Sequence, residues 1–190
     1  MPDFDEGRHP RGSDPKNSGR FAAVRRSDPD VSLPAPGQPW GAGRQKILEL
    51  LEIGRLTRVP PDRALALRIM EQAAEFLASA KANLEDRRPI ASFAAAYDAS
   101  RQAFSAMLEN QGLRATGANG HLTVEDAIGA QLGDEVGRRF RALRILRNAT
   151  QYPEPERGPA DAEDAQSAIA FAEKMLPAVA QLIDQMGAFR

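Results

Sequence analysis

The chain has 190 residues, of which 27% are charged and 42% apolar, with no cysteine and a formal net charge of −1. The length suits one domain of ordinary size with an additional segment, and the lack of cysteine excludes disulfides and thiolate zinc sites. The near-neutral charge argues against a general nucleic-acid coat protein, although it is compatible with a local basic patch.

The apolar residues favour a helical protein outside the membrane. Alanine, the best helix former, occurs 33 times, whereas the β-branched valine and isoleucine together occur 14 times, so we expect an all-α fold. No apolar run approaches the roughly 18 residues that a membrane span needs, and the N-terminus lacks the apolar segment of a signal peptide. We therefore expect a cytoplasmic protein with no membrane partner.

Residues 1–42 are predicted to form a disordered tail. They hold 7 of the 14 prolines, with glycine, serine and charged residues between them, and show no apolar periodicity. Phe4, Phe21 and Trp40 stand alone in polar surroundings, so the alternative is a short docking motif around Pro36–Trp40. We place the folded domain at residues 43–188.

Two helices are predicted in the first part of this domain. The first, a short amphipathic helix that stops at Gly54, is marked by Ile47, Leu48, Leu51 and Ile53. The segment Val59–Asp62 then opens a long helix, because proline is tolerated in a first turn. Its apolar face is formed by Leu65, Ile69, Ala73, Phe76, Leu77, Ala80 and Leu84.

A third helix is predicted from Pro89 to Gln111, where Gly112 ends it. Its inward face is formed by Ile90, Phe93, Ala94, Tyr97, Arg101, Phe104 and Leu108. The turn residues of 113–120 predict a loop. A short fourth helix follows through Val124, Ala127, Ile128 and Leu132.

Two further helices complete the expected fold. The fifth is predicted from Glu135 to Gln151, ended by Pro153, and the last runs from about Asp161 to Met186, with a kink at Pro177. Together the elements predict an antiparallel helical bundle of five or six helices.

The fifth helix carries five arginines within residues 138–147. On a wheel of about 100° per residue, the face expected to pack on the bundle consists of Ala142, Ile145, Leu146 and Ala149. Roughly opposite lie Val136, Phe140, Leu143, Arg144, Arg147 and Gln151. Because a helix with two apolar stripes needs two partners, we predict a second subunit on this second stripe. The alternative is that Arg144 and Arg147 pair with carboxylates in an interface and do no chemistry.

Most enzyme signatures are absent from the sequence. It has no Gly-rich phosphate loop before a helix, no H-E-x-x-H and no G-x-S-x-G. The two histidines, His9 and His121, are isolated, which argues against a transition-metal site. We therefore predict neither a metal nor a cofactor.

Two segments carry a family resemblance: AAAYDASRQAFSAMLENQGLRATGANGH, in and after the third helix, and RALRILRNATQYPEP, in and after the fifth. In this order they resemble a HEPN domain (higher eukaryotes and prokaryotes nucleotide-binding) of a bacterial, actinobacterial-like branch, over roughly residues 43–188. The resemblance implies an all-α bundle that forms a homodimer with the R-N motifs of both subunits facing each other. In many HEPN proteins this dimer is a metal-independent ribonuclease of toxin–antitoxin, CRISPR or anti-phage systems, and a small nucleotidyltransferase is a common partner.

The family's catalytic pattern, R-x4-6-H, is matched in part. Arg147 matches the arginine and Asn148 the polar residue that often follows it, whereas Tyr152 stands where histidine is expected. Metal-free RNA cleavage needs one group to take a proton and another to supply one. Histidine, with a pKa near about 6.5, does either at pH 7, but tyrosine, near about 10, is almost entirely protonated. We thus expect Arg147 and Arg144 to bind phosphate and Tyr152 to donate a hydrogen bond or proton, with no base identified.

Other residues have two readings each. Arg101, on the inward stripe with Tyr97, either lies beneath the Arg147 site or forms a buried salt bridge with Asp98. Asn148 either serves the site or caps the helix end. His121 belongs to the turn at the head of the fourth helix, but it is the one candidate base if that loop folds toward the cleft.

Three functions are compatible with this sequence. The first is a dimeric HEPN protein of toxin, defence or stress type that binds or cleaves RNA and has an antitoxin. The second is a non-catalytic HEPN module that binds a nucleotide or a nucleotidyltransferase-type partner. The third is a helical scaffold whose arginines only form the dimer.

Overall fold

The computed structural model describes residues 41–117, 120–152 and 158–190. The predicted tail lies outside this part of the chain, apart from its last two residues, and so does Pro153. The described residues form α1 (Arg44–Glu52), β1 (Leu56–Arg58), α2 (Arg63–Glu85), α3 (Pro89–Asn110), β2 (Leu113–Ala115), α4 (Gly120–Leu132), α5 (Asp134–Gln151) and α6 (Ala162–Gln185). The predicted all-α bundle is confirmed.

The helix boundaries follow local sequence signals. Pro89 occupies the first turn of α3, where its missing N–H costs nothing. Asp62 accepts a hydrogen bond from the N–H of Leu65 and so caps α2, which therefore begins after the prolines that were expected to lie inside it. Asp161 and Asp164 form a capping box at the start of α6, and Pro177 lies within that helix.

The two short strands are absent from the sequence prediction. They pair antiparallel, with Leu56 opposite Ala115 and Arg58 opposite Leu113, so the predicted loop 113–120 is wrong over its first three residues. Gly112, which precedes β2, has φ +75° and lies so close to the carbonyl oxygen of Val59 that a Cβ would be 2.7 Å from it. Only glycine fits this turn without strain.

Helix α3 is the centre of the bundle and packs against α2, α6 and α5. Four of its alanines, Ala96, Ala99, Ala103 and Ala106, have no exposed surface, and their small side chains let the neighbouring helices approach closely. The largest fully buried side chains are Phe93, Phe104, Phe140, Ile47, Leu50, Leu56, Met107, Leu108, Leu113, Ile128, Met175 and Leu182. On α1, Ile47 and Leu50 are buried whereas Leu48 and Ile53 are exposed, so the predicted face of that helix was partly wrong.

Helix α5 is rotated relative to its predicted orientation. Phe140 and Leu143, assigned to a second subunit, are buried in the chain's own core, with exposed fractions of 0% and 2%. The Phe140 ring stacks on Tyr97 and meets the edge of Phe104. Ile145, assigned to the core, is 40% exposed. The reason is area: burying a phenylalanine and a leucine stabilises the fold more than burying the smaller Ala142 with Ile145.

This rotation has two consequences. The stripe that carries Arg144 and Arg147 faces the bundle, so the two-stripe argument for a second subunit is wrong. The outward face of α5 instead presents Arg138, Arg141 and Ile145, all exposed and spaced by three and four residues, as on one side of a helix. Tyr152, also exposed, follows the last residue of α5.

Candidate functional site

A cavity of about 470 Å³ lies between α3, α4, α5 and β2. This volume is within the range of small-molecule sites. One part of the wall is apolar and the rest carries charged and polar groups. The lining residues are Ile69, Tyr97, Asp98, Arg101, Ser105, Leu108, Glu109, Leu113, Arg114, Ala115, Gly117, Gly120, His121, Val124, Arg147 and Asn148.

Arg147 is the unpaired cation of this cavity. Its guanidinium carbon lies 5.9 Å from the centroid of the Tyr97 ring, within the range of a cation–π contact. No described carboxylate is within 4.0 Å of it, so the predicted alternative of an ion pair for Arg147 is not met in the part of the chain that the structure describes. Its charge is therefore available to an anionic ligand.

The other two arginines of the cavity are paired. Arg101 donates from Nε to Oδ1 of Asp98 at 3.1 Å, which is the predicted pair, although both side chains are partly exposed rather than buried. Arg114 binds both oxygens of Glu109, at 3.1 and 2.6 Å, and the hydrogen bond raises the pKa of Arg114. These pairs leave Arg147 as the main uncompensated positive charge.

Arg144, unlike Arg147, forms the ion pair with a carboxylate that was the predicted alternative. It donates from Nε to Oε2 of Glu125 at 2.6 Å, and Glu125 is only 3% exposed. Oε1 of the same carboxylate accepts from Arg141, which raises the pKa of Arg141. Arg144 thus pairs within the chain, between α4 and α5, rather than at an interface.

His121 lies in the first turn of α4 and lines the same cavity as Arg147 and Asn148. Partial burial lowers the pKa of its imidazole below the usual value of 6.5, and the positive charges of Arg144, Arg147 and Arg101 lower it further, against a smaller opposing effect of Glu125. The side chain is therefore neutral at pH 7. The sequence made His121 a candidate base only if its loop folds toward the cleft, and His121 does line the cavity. Residues 118–119 of the preceding loop lie outside the described part.

Tyr97 supports the floor of the cavity. It is 3% exposed, and burial raises the pKa of its hydroxyl above 10.0, partly opposed by the nearby Arg101 and Arg147. The phenol is thus neutral at any physiological pH. Arg101 and Asp98, which were predicted together with Tyr97 as supporting residues, also line the cavity.

Asn148 and Tyr152 lie one turn apart at the end of α5. Asn148 lines the cavity, and its carbonyl oxygen accepts a hydrogen bond from the backbone N–H of Tyr152 at 2.8 Å. The Tyr152 side chain is 69% exposed and is not part of the cavity wall. The structure therefore brings Arg147 and Asn148 together with His121 in one cavity wall, and places Tyr152 outside the cavity, just after the end of α5.

Sequence reasoning missed the second charged pair of the cavity. Glu109 and Arg114 flank the turn that leads into β2, and a three-residue strand shows too little alternation to be predicted. The spacing of five residues across a Gly-containing turn was the one available signal. Among the described residues there is no group of three or more His, Cys, Asp or Glu side chains that could hold a metal ion.

Chemically, the cavity can bind an anion next to a neutral imidazole. A guanidinium offers paired N–H donors to phosphate oxygens, and the imidazole can take up a proton near pH 7. The apolar wall provides room for a flat or aliphatic group beside the anion.

The comparison with known families agrees with this architecture. The family model described as "HEPN domain" matches residues 66–182, which is more than half of the chain. No curated protein and no solved structure is significantly similar to the chain. In the described residues, no helix is both long and apolar enough to cross a membrane.

Proposed function

Because this chain belongs to the HEPN domain family, we propose that it cleaves single-stranded RNA as a metal-independent endoribonuclease. HEPN domains are generally linked to RNA-related or nucleotide-binding functions and commonly dimerise. The observation that carries the proposal is the unpaired Arg147 in a cavity shared with Asn148 and a neutral imidazole.

In this proposal Arg147 holds the scissile phosphate. Its guanidinium donates hydrogen bonds to the non-bridging oxygens and stabilises the extra negative charge of the phosphorane. Asn148, whose side chain has no hydrogen-bond partner among the described residues, donates to the same phosphate. Arg144, which is paired with Glu125, does not contact the phosphate in this proposal.

We assign to Tyr152 the proton donor for the leaving 5′-oxygen. Its 69% exposure leaves the hydroxyl accessible to an RNA strand bound across the end of α5. The donor role suits a phenol, which is fully protonated at pH 7, whereas the base must be another group.

The test is cleavage of a labelled single-stranded RNA in the presence of EDTA. Arg147→Ala is expected to reduce the rate by about 100-fold or more, the usual cost of removing one charge-stabilising donor. Arg68→Ala, which removes an exposed arginine of α2 that lies neither in the cavity wall nor on the outward face of α5, is the matched control and keeps the wild-type rate. The products carry a 2′,3′-cyclic phosphate, and a DNA strand of the same sequence is not cleaved because it lacks the nucleophile. Equal rates for wild type and Arg147→Ala would refute the proposal.

We infer a homodimer that uses the outward face of α5. This face combines Ile145, 40% exposed, with two exposed arginines, and it lies next to the cavity through Asn148. Ile145→Asp is expected to shift the protein from dimer to monomer in light scattering, with an unchanged circular dichroism spectrum. Ala162→Asp, at an exposed position in the first turn of α6, is the control that keeps the dimer.

Nucleotide binding without cleavage is the second candidate. The cavity volume and its apolar wall, which includes Ile69, Leu108 and Leu113, suit a mononucleotide with its base on that wall and its phosphate on Arg147. Calorimetric titration with 5′-mononucleotides tests it: saturable binding that Arg147→Ala abolishes, without RNA cleavage, supports this candidate. A nucleotidyltransferase-type or antitoxin partner remains a prediction from the family.

A further inference from the structure

We propose that His121, which α4 rather than the motif helix α5 supplies, is the general base of this site. The inference rests on the proposed ribonuclease function and adds the proton acceptor that residues 147–152 do not contain. In the R-x4-6-H pattern the arginine and the histidine lie on one helix, whereas here they would come from two.

The packing of α4 against α5 explains why His121 of α4 lines the same cavity as residues near the end of α5. The helices are joined at Gly133 and run antiparallel, with Gly129 and Gly137 in close contact next to the turn: a Cβ on Gly137 would lie 2.7 Å from Cα of Gly129. One turn further, Glu125 of α4 binds Arg141 and Arg144 of α5. One more turn along the same register brings His121 opposite the end of α5.

The residues that line the cavity agree with this alignment of His121 with the end of α5. His121, Arg147 and Asn148 all belong to its wall, so a phosphate held by Arg147 shares the cavity with the imidazole. Since no described residue forms a hydrogen bond with the imidazole, its ring nitrogens remain available to a ligand in the part of the chain that the structure describes.

The charges around His121 suit a base that acts on a phosphate ester. Arg101 faces it from α3, Arg144 and Arg147 from α5, and Glu125 from its own helix. Asp98, Glu109 and Arg114 complete the charged lining of the cavity. Partial burial and then the cations keep the free imidazole neutral, and a bound phosphate introduces negative charge that favours its protonation. The base is therefore strengthened when the substrate arrives.

The proposed step is a transesterification that conserves atoms and electrons. His121 takes the proton of the 2′-hydroxyl, and the 2′-oxygen forms a bond with phosphorus. The bond between phosphorus and the 5′-oxygen breaks, and the 5′-oxygen takes a proton from Tyr152. The imidazolium then releases its proton to water and the phenolate regains one, which leaves a 2′,3′-cyclic phosphate, a 5′-hydroxyl and the unchanged protein.

The test compares His121→Asn with His9→Asn, the same change at the only other histidine of the chain. His121→Asn is expected to lower the cleavage rate by about 100-fold or more, while its dissociation constant for an uncleavable 2′-O-methyl RNA stays within about threefold of wild type. His9→Asn keeps both values. In His121→Ala, added imidazole is expected to restore cleavage in proportion to its neutral form, which a merely structural role would not produce. An unchanged melting temperature shows that the variants are folded.

Two outcomes would overturn the inference, and they differ from each other. If His121→Asn cleaves like wild type while Arg147→Ala is inactive, the base lies elsewhere and the proposed ribonuclease function stands. If the wild-type protein does not cleave RNA, both the base assignment and the proposed function fail, and Arg147-dependent nucleotide binding becomes the function to pursue.

Discussion

The guanidinium of Arg147 is held by the face of the Tyr97 ring, with 5.9 Å between its central carbon and the ring centroid. Phe140 stacks on the same tyrosine at 5.5 Å and an interplanar angle of 10°, so Tyr97 links the guanidinium to the aromatic core. A neutral ring positions a cation without neutralising it. A carboxylate in the place of Tyr97 would orient Arg147 equally well but would compete with a phosphate.

Replacing the ring should therefore weaken RNA binding without removing any charge. Tyr97→Leu is expected to raise the dissociation constant for single-stranded RNA about three- to tenfold, because a cation–π contact of about 1 kcal/mol is lost. Tyr97→Phe keeps the ring and is expected to bind like wild type. Fluorescence anisotropy with a labelled RNA measures both, and equal affinities for the two variants would show that the ring does not position Arg147.

Glu125 is expected to be a stability determinant of the α4–α5 hairpin. Its carboxylate is 3% exposed and accepts from two arginines. Glu125→Gln removes the charge and leaves Arg144, 14% exposed, without a counterion. We expect a loss of about 2 kcal/mol in the free energy of unfolding.

Urea denaturation measures this loss. Glu71→Gln, the same change at an exposed position of α2, is expected to change the unfolding free energy by less than about 0.5 kcal/mol. If both variants unfold at the same urea concentration, the Glu125 cluster does not stabilise the hairpin.

The glycine contact of the same hairpin predicts opposite effects for two equivalent substitutions. A Cβ on Gly137 would lie 2.7 Å from Cα of Gly129, whereas a Cβ on Gly129 would lie 3.4 Å from Cα of Gly137. Alanine in a helix is favoured over glycine by about 1 kcal/mol, but overpacking costs about 1–3 kcal/mol. We therefore expect Gly137→Ala to lower the melting temperature and Gly129→Ala to leave it unchanged or raise it. A scanning calorimetry result in the reverse order would contradict the packing.

The helices could be predicted from the sequence, because helix formation depends on local signals. Pro89 and Asp161 mark helix starts through their own backbone chemistry, and long apolar stripes with a period near 3.6 residues need no tertiary information. Strands β1 and β2 were not readable. Each is three residues long and exists only because the partner strand lies next to it.

A helical wheel could not decide which face of α5 packs against the bundle. The wheel grouped Phe140 and Leu143 with Arg147 correctly, but it contains no information on which side α3 lies. That side is set by the packing of Phe140 on Tyr97 and Phe104, two residues more than 30 positions away in the sequence. For the same reason the sequence named His121 only conditionally, since its place in the cavity depends on the register of the α4–α5 hairpin.

The ionisation of His121 provides the most direct test of the cavity's electrostatics. Partial burial and the nearby arginines lower the pKa of its imidazole below 6.5. In a His9→Asn background, the remaining Cε1–H resonance reports this pKa by proton NMR. Arg147→Ala removes one of the positive charges and is expected to raise the pKa, whereas Arg138→Ala is expected to leave it unchanged.

The lowered pKa of His121 also predicts the direction in which the free energy of unfolding changes with pH. Because the imidazole binds a proton less readily in the folded than in the unfolded chain, the unfolded state binds more protons between the lowered pKa and about 6.5. The free energy of unfolding therefore rises with pH through this window, and this contribution is lost as the pH falls through it. His121→Asn is expected to flatten the rise. A profile that stays parallel to that of the wild type would show that His121 titrates alike in the folded and unfolded chains, and would remove the electrostatic reason for a neutral imidazole beside Arg147.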